Sequence, residues 1–157
     1  MIVVADTSPI SYLILIDEVG ILPRLYGEII IPRAVFAELI APNAPSKVRL
    51  WFENCPAWLE TRKVAVQLDV SLSILDSGET EAIQLAKEIR ADLIMIDELL
   101  ARRIAIQEGL NVIGLIGILA AASRQGLVMP ELVIAKLRRT NFFFSEDLIE
   151  FLKNSKK

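Results

Sequence analysis

"MIVVADTSPI", residues 1–10, carries an apolar run that stops at Asp6, Thr7 and Ser8. A short β-branched run without polar alternation marks a strand buried on both faces, the kind found inside parallel sheets. A carboxylate at the mouth of such a strand is costly unless hydrogen bonds or a cation meet it. One reading makes Asp6 the cap of the helix that follows. Pro9 marks the first turn of that helix, and Ser8 just before it is the more natural cap, which leaves Asp6 free.

The same pattern recurs downstream. "EIIIP" (28–32), "DLIMID" (92–97) and "NVIG" (111–114) read as further buried strands, and "WLETRKV" (58–64) as an edge strand. Helical periodicity fills the intervals at 8–15, 19–26, 32–40, 78–90, 99–108, 116–125, 130–138 and 146–153. The segment 42–50, with two prolines, is a loop leading into another short helix. Alternating strands and helices predict a single α/β domain over 1–157: a three-layer α/β/α sandwich with a mostly parallel sheet. A helical extension begins at about residue 128. In open parallel sheets ligands bind beyond the carboxyl ends of the strands, where Asp6 and Asp97 both fall.

Composition narrows the chemistry. The chain has no histidine, which removes imidazole bases and imidazole zinc ligands, and its one cysteine excludes an internal disulfide or a multi-cysteine metal site. Cys55 reads as a small buried apolar residue. Catalysis would fall to carboxylates, hydroxyls, lysine, arginine or a hard metal. The net charge of −3 offers no global attraction to nucleic acid, so an RNA substrate needs local basic surface or bound cations. The longest charge-free stretch, 109–123, is shorter than the roughly 20 apolar residues of a membrane span. No signal-type start occurs, so a cytoplasmic location is expected.

Each remaining acid has an ordinary structural explanation. Asp97 in "MIDELL" would cap the helix from Leu99, with Glu98 sharing the work. Asp76 and Glu79 in "LDSGETEAI" form a capping-box pattern, yet Glu79 also begins the buried stripe of Ala82, Ile83, Ala86 and Ile89. Glu38 in "IPRAVFAELI" lies at the border of a packed face. Only their convergence would make a site.

The ordered set "VVADTSPISYL", "IIIPRAVFAELI", "LDSGETEAIQLA" and "ADLIMIDELLARR" resembles the PIN-domain ribonuclease family, over residues 2 to about 125. It looks closest to the branch of VapC-like toxins from prokaryotic toxin–antitoxin pairs. The resemblance implies an endoribonuclease in which Asp6, Glu38, Glu79 and Asp97 form the acidic, metal-holding quartet, supported by the Ser8 hydroxyl. Two departures stand out: glutamate at 79, where many toxins have aspartate, and "MIDELL" in place of the usual Thr-x-Asp approach to the last acid. Clustered carboxylates with oxygen-only donors suit Mg²⁺ or Mn²⁺. Arg102 and Arg103, just past Asp97, are the candidate phosphate contacts. The aromatics of "TNFFFSEDLIEFL" read as core or dimer contacts ahead of base-stacking groups. An RNA substrate, an antitoxin protein and a homodimer are the expected partners. The alternative is a non-catalytic PIN-like module that binds RNA or protein. Haloacid-dehalogenase-like phosphatases also use a strand-end aspartate, but pair it with a second acid where this chain has Ser8.

Overall fold

The computed structural model describes residues 1–65 and 72–156. Five parallel strands form one sheet in the order β3-β2-β1-β4-β5: β1 (Val3–Ala5), β2 (Ile29–Pro32), β3 (Leu59–Arg62), β4 (Leu93–Met95) and β5 (Val112–Ile113). β1 is central, and its three residues are fully buried. Two further buried methylene-rich faces make that possible, because alternate residues of each strand point into different cores. Val3, Ala5, Ile29, Ile31 and Met95 join one apolar cluster; Val4, Ile30, Ile94 and Ile96 join the other.

The second cluster is closed by α5 (Ser77–Glu88) and α6 (Leu99–Gln107), through Ile83, Leu85, Ala101 and Ala105. The first is closed by α1 (Thr7–Leu15), α2 (Ile21–Tyr26), α3 (Arg33–Leu39) and α4 (Ser46–Phe52), together with α7 (Leu115–Arg124), α8 (Pro130–Leu137) and α9 (Glu146–Asn154). The sandwich is therefore the expected one, and "WLETRKV" does supply the edge strand β3. From β1 the chain builds outward through β2 to β3, then returns to the other side of β1 for β4 and β5. That reversal opens a crevice at the carboxyl ends of β1 and β4.

Two expectations need correction. Cys55 is exposed, because it sits in the turn between α4 and β3 and not on a packed face. Ser8 does not precede α1: the helix begins at Thr7, and Asp6 occupies the N-cap position in an extended conformation. Pro9 is tolerated one turn in because the first helical N–H groups have no carbonyl to meet. Asp6 nonetheless makes no side-chain capping bond, and its Oδ1 is left without a partner. Among the described residues, no helix is long and apolar enough to cross a membrane.

Candidate metal centre

Asp6 ends β1, and its N–H donates to the Met95 carbonyl at 2.9 Å, carrying the β1–β4 ladder one step past the strand. The residue is 6% exposed, and its Oδ1 has no hydrogen-bond partner. Burial, joined by the charges of Asp76, Glu79 and Glu38, pushes its carboxyl up to about 7, against an opposing pull from the Thr7 N–H. An acid in that state gains most from a cation.

Glu38 reaches the same place from α3, where it accepts a hydrogen bond from the Thr7 hydroxyl. The close approach of α3 to α5 depends on Gly78. A β-carbon there would stand 2.5 Å from Glu38 Oε1 and 2.8 Å from Oε2. Glu79, the next residue, is buried at the start of α5. Its Oε1 accepts the Asp76 N–H at 3.1 Å, while its own N–H donates to Asp76 Oδ1 at 2.7 Å. The capping box is real, and it presents Glu79 inward without excluding a second use. Burial raises the Glu79 carboxyl, opposed by the Asp76 N–H and reinforced by the Asp76 and Glu98 charges.

Asp97 follows β4. It does not cap α6; Glu98 does, accepting the Ala101 N–H at 2.8 Å. Asp97 Oδ1 instead accepts the Leu115 N–H at 2.9 Å, at the start of α7, and its buried Oδ2 has no partner. Burial raises this carboxyl too, while the Leu115 N–H and the Arg102 guanidinium hold it back. Gly114 again makes room: a β-carbon there would lie 2.5 Å from Arg102 Nη1 and 2.7 Å from Asp97 Oδ1. Arg103 is exposed one position further along α6, away from this corner.

Asp6, Glu38 and Glu79 thus share one electrostatic neighbourhood, and Asp97 stands at the adjoining strand end with its charge answered by the Leu115 N–H and then by Arg102. Sequence reasoning missed two members. Asp76 adds its charge to that of Asp6, a role hidden behind its capping pattern. Thr7 supplies the hydroxyl that meets an acid, whereas Ser8 makes no hydrogen bond to any of the four carboxylates.

Among the described residues, no three acidic side chains stand close enough to form a closed metal cage. Two buried carboxylate oxygens have no partner, Asp6 Oδ1 at the end of β1 and Asp97 Oδ2 at the end of the neighbouring β4. That donor set fits a hard divalent cation that keeps several of its own waters, as Mg²⁺ does on one or two carboxylates. Zinc, which favours nitrogen and sulfur, would find neither.

Comparison with known proteins agrees with this architecture. The chain is similar to a PilT N-terminus domain protein of the hyperthermophilic archaeon Sulfolobus solfataricus P2, with 18% identity and a TM-score of 0.53 over 92% of this chain and 100% of that one. At that identity the likeness speaks for the fold. No curated protein sequence matches. PIN domains are generally nucleases that use divalent metal ions. Residues 2–156 match DUF3368, described as a PIN domain. Among the described residues, every strand and helix lies within the match, and the chain belongs to the DUF3368 family of PIN domains.

Proposed function

We propose that the protein is a Mg²⁺- or Mn²⁺-dependent endoribonuclease that hydrolyses RNA phosphodiester bonds, and that it serves as the toxin of a prokaryotic toxin–antitoxin pair. The observation that carries the nuclease reading is the Asp6 carboxylate: buried, unpartnered at Oδ1, and surrounded by Glu38, Asp76 and Glu79. Folding has placed an acid there whose charged form is costly, and a bound cation recovers that cost. The toxin assignment rests on the order and context of Asp6, Glu38, Glu79 and Asp97, which resemble VapC-like proteins, and it brings with it an antitoxin and a homodimer as partners.

Asp6, Glu38, Glu79 and Asp97 would hold the cation, Asp6 and Asp97 each keeping a buried oxygen without a partner. When bound, such an ion lowers the pKa of a coordinated water and neutralises charge on a phosphate. The chain's own contribution is orientation. The Thr7 hydroxyl fixes Glu38, the Asp76 N–H fixes Glu79, and the Leu115 N–H fixes Asp97. Arg102, beside Asp97, can shift its charge onto an incoming phosphate.

A second reading, a non-catalytic PIN-like module that binds RNA or protein, draws on the absence of a closed three-ligand cage among the described residues. One experiment separates the two. Mixed unstructured RNAs are incubated with purified protein in Mn²⁺, in Mg²⁺ and in excess chelator. The nuclease reading expects metal-dependent internal cleavage that stops in chelator. RNA left intact in both metals, together with a melting temperature unmoved by millimolar Mn²⁺, would favour the binding module.

A further inference from the structure

An open groove of about 400 Å³ begins at Asp97 and Arg102 and runs between the β5–α7 corner and the C-terminal segment. Its far wall is apolar and mostly aromatic: Phe142, Phe143 and Phe151 line it with Leu148. Phe143 is 87% exposed and Phe151 52%, which is unusual for side chains of this size in a chain with ample core. Neither is loosely presented. Phe142 packs edge-on to Tyr12 at 5.0 Å and stacks with Phe144 at 5.9 Å, and the Tyr12 hydroxyl donates to Asn141 Oδ1 at 2.6 Å. The residues on either side of Phe143 are therefore pinned to the main core, and the middle ring is held outward. Likewise α9 buries Ile149 and Leu152 while turning Leu148 and Phe151 to the groove.

We propose that this groove is a subsite for an unpaired nucleobase of the RNA strand, seated against Phe143 and Phe151 while the neighbouring phosphate meets Arg102. The proposal rests on the endoribonuclease reading and names how that site would hold its substrate. Three features select an RNA strand as the occupant. The groove shares Asp97 with the candidate metal centre. Among the described residues, the one cation lining it is Arg102, at that end, where a phosphate would lie. The acids of the α9 first turn, Glu146 and Asp147, do not line it. Aromatic faces take any base, because every base has a π-face, so the subsite holds a strand without dictating its sequence.

The test uses the full chain and a short fluorescein-labelled unstructured RNA, with affinity read by anisotropy in chelator so that no cleavage intervenes. Phe143→Ala with Phe151→Ala should weaken binding about tenfold, within the range known for losing base–aromatic stacking. Phe143→Trp should retain it. The same RNA made with abasic positions should bind the parent and the double variant equally. Circular dichroism melts confirm folding, which Phe143 at its exposure does not support. A parent that binds and cleaves RNA, with the double variant unchanged, overturns the subsite and leaves the nuclease reading standing. A parent that neither binds nor cleaves RNA overturns both. A fall in mass by light scattering in the double variant, with RNA affinity unaltered, overturns the proposal by assigning the face to a second copy of the chain.

Discussion

Two aspartates bracket β4, and they have opposite lives. Asp92, at the amino end, is exposed; its Oδ2 accepts the Ile2 N–H at 2.6 Å and its carbonyl accepts Asn111 Nδ2 at 3.2 Å. It joins the first residues of the chain to the strand that will lie beside them. Asp97, at the carboxyl end, has one oxygen tied to Leu115 and the other buried with nothing to bind. All strands of this sheet run the same way, so the loops leaving them open on a single edge, and that edge collects unanswered charge. Acids at the other edge are ordinary fasteners. The lesson is directional: in a parallel sheet the same residue type means different things at the two ends of one strand.

The contrast can be broken most sharply through activity. Asp6→Asn keeps the shape of the buried side chain and removes its charge, so RNA cleavage in Mn²⁺ should fall by roughly 10³-fold, the scale of several kcal/mol of charge stabilisation. Asp92→Asn should leave cleavage unchanged. Initial-rate assays on both variants decide the matter, and equal activity of Asp6→Asn and parent would remove Asp6 from catalysis.

A second test is pH. Asp6, Glu79 and Asp97 all hold their protons more tightly folded than unfolded. The native state then binds the greater number of protons, so their effect is to lower metal-free stability as pH rises from about 4 to about 7. For Asp6, raised from 3.8 to about 7, the loss is roughly 4 kcal/mol at most. Urea denaturation in chelator at a series of pH values should show this fall, and Asp6→Asn should flatten it. Metal should flatten it as well, since a bound cation restores the charged form. A parent whose metal-free stability climbs through that window would contradict the picture.

Smaller effects follow from the glycine that admits Glu38. Gly78→Ala places a methyl against the far end of a flexible side chain, which can swing aside. Helix propensity favours alanine by about 1 kcal/mol, so the metal-free melting temperature should hold or rise slightly. Mn²⁺ affinity, read from the metal-induced shift in melting, should drop roughly tenfold as Glu38 loses Thr7. The smallest change belongs to the opposite edge. Asp92→Ala should cost about 1 kcal/mol of stability, the net worth of a hydrogen bond at an exposed site, with metal affinity untouched.

Much of this was legible beforehand because the signals were periodic. β1, β2 and β4 showed as unbroken apolar runs, and the two-sided burial of Val3, Val4 and Ala5 follows from that. Asp6 and Asp97 were legible as strand-end acids, and Glu79 as a carboxylate beginning a buried stripe. What escaped depends on contacts between distant elements. Nothing local distinguishes Thr7 from Ser8 as the hydroxyl that meets Glu38, a residue of another helix. Asp97's bond to Leu115 spans a helix and a strand, so a capping pattern for α6 was the nearer reading. Phe142, Phe143 and Phe144 look alike in sequence; only Tyr12 and Asn141 separate the packed rings from the outward one.

The central position of the first strand also has a consequence in time. β1 is made before the other four strands, but its partner β4 ends at Met95, and the amide that fastens Asp97 belongs to Leu115. At cellular rates of elongation, the interval between making Asp6 and making Leu115 is on the order of ten seconds. Throughout that interval the acids sit on a chain whose sheet is incomplete. The full charge cluster exists only once most of the polypeptide has left the ribosome, so a nascent or prematurely terminated chain carries the residues of the centre without the centre itself.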